Sequence, residues 1–194
     1  HLTYGDTNMS NALPKVGFVL AVIVKICWTL SASAATPLVV ETIAPRQADV
    51  ATINGIVKAF YDVVSGPAGQ PRQWARDRTL YIEGVRFVII ERKDGKPRPR
   101  ILSHQQYVDS TNGSFEKQGL FEHEMHRVVR RFGDIAHVFS TYELRSQPEG
   151  QAFARGVNSI ELFFDGKRWW IASALWQNEG PDAPIPEELL PRNP

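Results

Sequence analysis

GLFEHEMHRVVRRFGDIAHVFSTYELRSQPEGQAFARGVNSIELFFDGKRWWIASALWQN, residues 119–178, is the stretch that decides the fold. Long runs rich in Val, Ile, Phe, Tyr and Trp are separated by Phe132-Gly133-Asp134, Pro148-Glu149-Gly150-Gln151 and Asp165-Gly166-Lys167. Strong strand formers bounded by turn formers read as strands and hairpins. Asp165-Gly166 suits the positive backbone angles of a tight hairpin turn. Four consecutive antiparallel strands follow, roughly 120–131, 134–146, 153–164 and 168–177. They exceed the usual length of about 5–6 residues, so the expectation is a strongly curved sheet in a small domain.

Upstream the pattern is helical. Val50, Ile53, Val57, Phe60 and Val64 recur at spacings of three and four, one apolar stripe on an amphipathic helix that Ser65-Gly66-Pro67 stops. Gly55 lies inside it at a cost of about 1 kcal/mol relative to alanine. Pro71 to Asp77 reads as a short helix anchored by Trp74, and 80–82 and 85–91 as extended segments. Pro97 and Pro99 lack the donor of a central strand and belong at an edge. Ser103, with Gln106 three residues on, caps a helix over His104 to Asn112 that Gly113-Ser114 closes.

The 194 residues suit one domain with a leader and a tail. The expected division is 1–34 leader, 35–45 linker, 46–178 domain and 179–194 proline-rich tail. Lys15, the apolar run Val16 to Leu30 and Ala32-Ser33-Ala34 form a signal-peptide pattern, and Met9 fits a true initiator. The expected location is therefore periplasmic or secreted, with membrane attachment only through an uncleaved leader. Lys25 splits the apolar run below the length of a membrane span. Cys27, the single cysteine, lies in the leader, so the processed chain has neither disulfide nor thiol nucleophile. Lys plus Arg (22) balances Asp plus Glu (21), which argues against a nucleic-acid partner.

Helix, short helix, strand pair, helix and four long strands resembles the nuclear transport factor 2-like superfamily. This superfamily also houses SnoaL-like polyketide cyclases, ketosteroid isomerase and scytalone dehydratase. The resemblance runs over roughly 48–178 and is carried by Phe60-Tyr61, Trp74 and Asp165-Gly166-Lys167-Arg168-Trp169-Trp170-Ile171-Ala172. It implies an α+β fold: a cone-shaped, strongly curved mixed or antiparallel sheet wrapped around two to three N-terminal helices. It also implies a pocket between sheet and helices, with a few acid/base groups among apolar walls. Within the superfamily the chain resembles exported bacterial members of unknown function. Because the fold hosts isomerases, dehydratases, cyclases and assembly domains, it does not fix an activity. The catalytic tyrosine-aspartate pair of ketosteroid isomerase and the tyrosine, histidine and aspartate of scytalone dehydratase do not appear in register.

Strict alternation puts His123 with Phe121, Met125, Arg127 and Val129, and His137 with Ile135 and Phe139. Either histidine is a candidate general base in the pocket, set against the more common reading of a satisfied structural residue on a sheet. Glu161 is the candidate carboxylate to orient them, or an exposed strand residue. Tyr61, Trp74, Phe121 and Trp169 could wall a ligand pocket, and core packing accounts for such residues as well. Glu122-His123-Glu124-Met125-His126 is not a metal motif, since His123 and His126 face opposite sides of a regular strand unless a bulge intervenes. No cofactor fingerprint occurs. Trp170, Ala172, Ala174 and Trp176 in one phase suggest an apolar outer face and a homodimer. The expected function is binding of a small apolar or amphipathic molecule. The alternatives are an acid/base lyase, isomerase or cyclase, and a non-catalytic protein-interaction module.

Overall fold

The computed structural model describes residues 37–192, and the expected leader with its cleavage site lies outside them. Chain order is α1 (Gln47–Val50), α2 (Ile53–Asp62), α3 (Trp74–Arg78), β1 (Tyr81–Lys93), β2 (Lys96–Leu102), α4 (His104–Gln118), β3 (Phe121–Phe132), β4 (Ile135–Arg145), β5 (Ala154–Phe164) and β6 (Trp169–Asn178). A 3-10 turn at Glu187–Leu189 follows. No helix among the described residues is long and apolar enough to cross a membrane.

The amphipathic stretch expected as one helix is two. Thr52 leaves helical geometry and its Oγ1 accepts from the Gly55 amide at 2.9 Å, capping α2 anew. Gly55 serves a close approach, because a Cβ there would lie 2.3 Å from the Ala48 carbonyl oxygen of α1. Ile56, Val57, Phe60 and Tyr61 bury the inner face of α2. Asp49 of α1 accepts two hydrogen bonds from Arg76 of α3, both at 2.7 Å, and that contact first of all holds its carboxyl below the usual range. In α4 the capping box of Ser103 and Gln106 forms as expected, but the helix runs through Gly113 and ends at Gly119.

One mixed sheet has the order β2-β1-β6-β5-β4-β3. Neighbours are antiparallel except β1 and β6, which run parallel. The α+β class is as expected. The expected cone is not: among the described residues the sheet is open, with β2 and β3 at its edges, and is not strongly curved. Nor are all the helices N-terminal, since α4 is inserted between β2 and β3. The length of the strands is taken up by overhang. The far ends of β1 and β3, and most of β2, are exposed, with Phe132 at the β3–β4 tip 85% accessible. Strands that outrun the helices above them need not bend to bury their ends.

Two bulges re-aim side chains. Pairing jumps from Glu124↔Tyr142 to His126↔Thr141, leaving Met125 unpaired, and from Glu161↔Ser173 to Leu162↔Ile171, leaving Ala172 unpaired. Each bulge shifts the alternation by one. Trp176 therefore turns under α4, against Tyr107, while Trp170 sits on the opposite face hydrogen-bonded to Asp165. The two tryptophans do not form the common patch from which the homodimer was expected. Part of the outer face is covered by the tail: Leu189 is buried there and its carbonyl accepts from the Thr141 hydroxyl at 2.5 Å.

Tyr142 pairs directly across from Gly156, and its ring lies over that glycine. A Cβ at position 156 would stand 2.4 Å from the Tyr142 hydroxyl oxygen and 2.5 Å from the Gln177 carbonyl. Alanine in a strand normally stabilises relative to glycine. Here Gly156→Ala is expected to destabilise by about 1–3 kcal/mol through overpacking, measured by urea unfolding; equal or greater stability would refute the ring-over-glycine contact.

Candidate functional site

The helix-facing side of the sheet carries polar residues that its neighbours almost completely satisfy. Ser140 of β4 and Asn158 of β5 sit among Val138, Ile160 and Leu162 with essentially no exposure. The Asn158 amide donates to the Tyr61 hydroxyl at 3.1 Å and to Glu122 Oε1 at 3.3 Å. Ser140 donates to Glu124 at 2.5 Å, so at the 2.7 Å contact between Tyr61 and Ser140 the tyrosine is the donor. Glu124 is held by Arg127, which also reaches Asn54 Oδ1 at 3.3 Å. The bulge at Met125 makes this possible, because it turns Arg127 to the same face as Glu122 and Glu124.

One end of this chain opens into a cavity of about 490 Å3 between α4 and the sheet. Its walls include Phe87, Tyr107, Phe115, Tyr142 and Trp176, with Glu122 among them. Its mouth lies between the exposed Ser114 and Gln118 of α4 and the β4–β5 loop, where Phe153 is 62% accessible. Glu122 keeps some accessible surface, but that surface is cavity wall. Removal from water raises its carboxyl from the ordinary 4.5 to about 7, and the Asn158 hydrogen bond opposes only part of the rise. The hydroxyls of Tyr107 and Tyr142 are pushed up by burial and then by the Glu122 charge. Tyr142 donates to Asn178 Oδ1 at 2.7 Å. On the floor, Tyr81 donates to the fully buried Asp77, which also accepts from His104 Nε2, both at 2.8 Å.

The residues singled out in the sequence lie elsewhere. His123 is exposed on β3, opposite Glu143 and on the face away from α4. His137 and Glu161 do come together: His137 Nε2 is 2.9 Å from Ser159 Oγ and 4.0 Å from Glu161 Oε1, on that same outer face with the side chains 36% and 56% accessible. Phe121 shares the outer phase of β3. Tyr61 backs the cavity wall through Asn158, while its neighbour Phe60 lines it. Trp74 is buried behind Phe115 and donates to Asn112 Oδ1 at 2.6 Å. Trp169 is packed against Phe164 under Arg131. The Met125 bulge also brings His123 and His126 to one face, yet among the described residues no three His, Cys, Asp or Glu are placed to hold a metal.

Sequence reasoning missed Glu122 because it followed the histidines into the other phase of β3. The available signal was Asn158, an amide in register with Ile160 and Leu162: a polar residue on an apolar face needs a partner.

A protein of unknown function with a cystatin-like fold from Nostoc punctiforme superposes with a TM-score of 0.51 at 7% identity, over 66% of this chain and 90% of that one. A Kribbella flavida protein gives 0.51 at 14% identity, over 67% and 90%. A nuclear transport factor 2-like protein of unknown function from Silicibacter pomeroyi gives 0.43 at 14%, over 66% and 94%. The chain shares its fold with the Nostoc and Kribbella proteins, the first of which is described as cystatin-like. No family model matches the sequence, and no curated protein matches it either. At these identities the likeness is one of fold alone.

Glu122 is expected to weaken the fold as it ionises. Its folded carboxyl titrates near 7 and its unfolded one near 4.5, so stability is lost as pH rises through that window. Glu122→Gln removes this dependence, and the variant should be more stable than wild type by up to roughly 3 kcal/mol at pH 8, converging with it near pH 4. Urea unfolding at the two pH values checks this, and an equal gap at both would contradict it.

Proposed function

We propose that this chain is a small-molecule-binding domain whose ligand, amphipathic and largely apolar, occupies the cavity between α4 and the sheet. The observation that carries the reading is the cavity itself. Its size and largely apolar, aromatic-rich wall, with Glu122, Asn158 and the Tyr142–Asn178 pair as inward polar groups, match a preformed ligand site. An exposed Phe153 at the mouth supports it further, since a bound apolar molecule would cover that ring.

A second reading, acid/base catalysis of the isomerase or cyclase kind, is favoured by one property. A carboxyl titrating near 7 is suited to take and return a proton at neutral pH. In this reading Glu122 is the base, and the cavity holds a carbonyl compound with an acidic C–H.

Both readings are open to direct measurement. The neutral fluorophore N-phenyl-1-naphthylamine should brighten on binding wild type, and Thr111→Trp, which fills the cavity from α4, should weaken binding at least about tenfold with little change in melting temperature. No brightening with wild type, or equal binding by the variant, would refute the ligand site. For catalysis, deuterium uptake at the activated methylene of 2-tetralone, followed by NMR, should be accelerated by wild type and fall on the order of a hundredfold in Glu122→Gln. Equal rates would eliminate the catalytic reading.

A further inference from the structure

Among the described residues no cation pairs with Glu122 at the cavity. Its hydrogen-bond partner among the described residues is the neutral Asn158 amide. The charged and titratable groups around it are otherwise engaged. On its own strand, Glu124 is neutralised by Arg127. From α2 comes Tyr61, which donates to Ser140, and from α3 comes Asp77, bonded to Tyr81 of β1 and His104 of α4. From α4 comes Tyr107, and from β4 Tyr142, both phenols held neutral. Arg100 of β2 also borders the cavity, but its Nε lies 2.8 Å from Glu91. A carboxylate enclosed by protein is ordinarily paired with a positive charge, and among the described residues this one has none.

The aromatic wall supplies the rest. Ring centroids of Phe87 and Tyr107 are 4.9 Å apart, Tyr107 and Trp176 5.8 Å, and Phe87 and Trp176 6.0 Å. The indole stands at 80° to the Tyr107 ring and 67° to the Phe87 ring, while those two rings are tilted by 37° to each other, so the indole makes a corner with the pair. All three line the cavity that Glu122 lines. Ring faces are electron-rich, and a corner of steeply angled rings is the arrangement that receives a cation from several sides.

We propose that the ligand is an organic cation, an ammonium nitrogen on an apolar body, seated between the Glu122 carboxylate and the corner formed by Phe87, Tyr107 and Trp176. This rests on the binding reading above and narrows it. The ammonium supplies the missing counter-charge, and the apolar body fills the remaining cavity toward Phe115 and the mouth. Binding of such a ligand draws Glu122 into its ionised form, so affinity for a permanent cation rises with pH through the titration of that carboxyl.

The test is displacement of N-phenyl-1-naphthylamine from the full chain by benzyltrimethylammonium and by neopentylbenzene, its uncharged isostere. At pH 8.5 the cation should compete at least about tenfold more tightly. The preference should shrink at pH 5.5 and vanish in Glu122→Gln, whose own uptake of the fluorophore shows that its cavity is intact. Equal competition by the two molecules, or a cation preference that survives in Glu122→Gln, overturns the cation site while leaving the binding reading standing. Failure of wild type to take up the fluorophore at all removes both.

Discussion

The polar chain that begins at Asn158 fixes how α2 lies on the sheet. A buried polar group without a partner costs about 1–3 kcal/mol, so Asn158, Tyr61 and Ser140 must be placed to satisfy one another. The two hydrogens of the Asn158 amide go to Tyr61 and Glu122, the Tyr61 hydrogen goes to Ser140, and the Ser140 hydrogen goes to Glu124. Four elements, α2, β3, β4 and β5, are tied at one level by these side-chain hydrogen bonds. Packing by Ile56, Val57 and Val138 holds α2 to the sheet, but apolar contact is non-directional and would tolerate sliding. The hydrogen bonds set the register of α2 on the sheet.

That chain also assigns different states to two glutamates separated by one residue on β3. Glu124 lies at the receiving end, accepts from Ser140 and meets the guanidinium of Arg127. Glu122 lies at the other end, receives one long hydrogen bond and faces an aromatic space. The difference comes from the Met125 bulge. Without it Arg127 would project to the outer face with His123, and Glu124 would be as poorly compensated as Glu122. A single inserted residue therefore separates a structural carboxylate from one that is available to a ligand.

Much of the element order was legible in the sequence, because Asp165-Gly166, the Ser103 capping box and the apolar periodicity of α2 each carry local physical signals. The α+β class followed from them. What was not legible depends on pairing between strands. Alternation through Glu122–Val129 and Trp169–Trp176 reads as unbroken when each strand is taken alone. A bulge is a mismatch between two strands, and neither strand announces it. For this reason Trp176 was grouped with Trp170, and the histidines drew attention to the wrong face of β3 for finding the cavity. The expected curvature failed for a related reason: strand length shows how far a strand runs, not whether a helix covers its whole length. The exposed Phe132 and Ile135 at the end of the β3–β4 hairpin are where that cover stops.

The Glu122 carboxyl is difficult to explain as part of the scaffold. Asn158 is already anchored by Tyr61, so its amide would stay in place with one hydrogen turned to the cavity. A glutamine at position 122 would accept the same hydrogen bond without titrating, and a leucine would match the surrounding rings. Both would spare the fold a charge kept from water. Natural proteins retain such local losses where the strained or unpaired group acts on something else. The aromatic corner makes the same point from the opposite direction, since Phe87, Tyr107 and Trp176 pack on one another yet leave space among themselves and Glu122. A core selected for stability alone would close that space, as interiors elsewhere in this chain do around Ile160, Ile171 and Val138. Uncompensated charge and unfilled aromatic volume occur together in one place, and a ligand that carries the opposite charge on an apolar body resolves both.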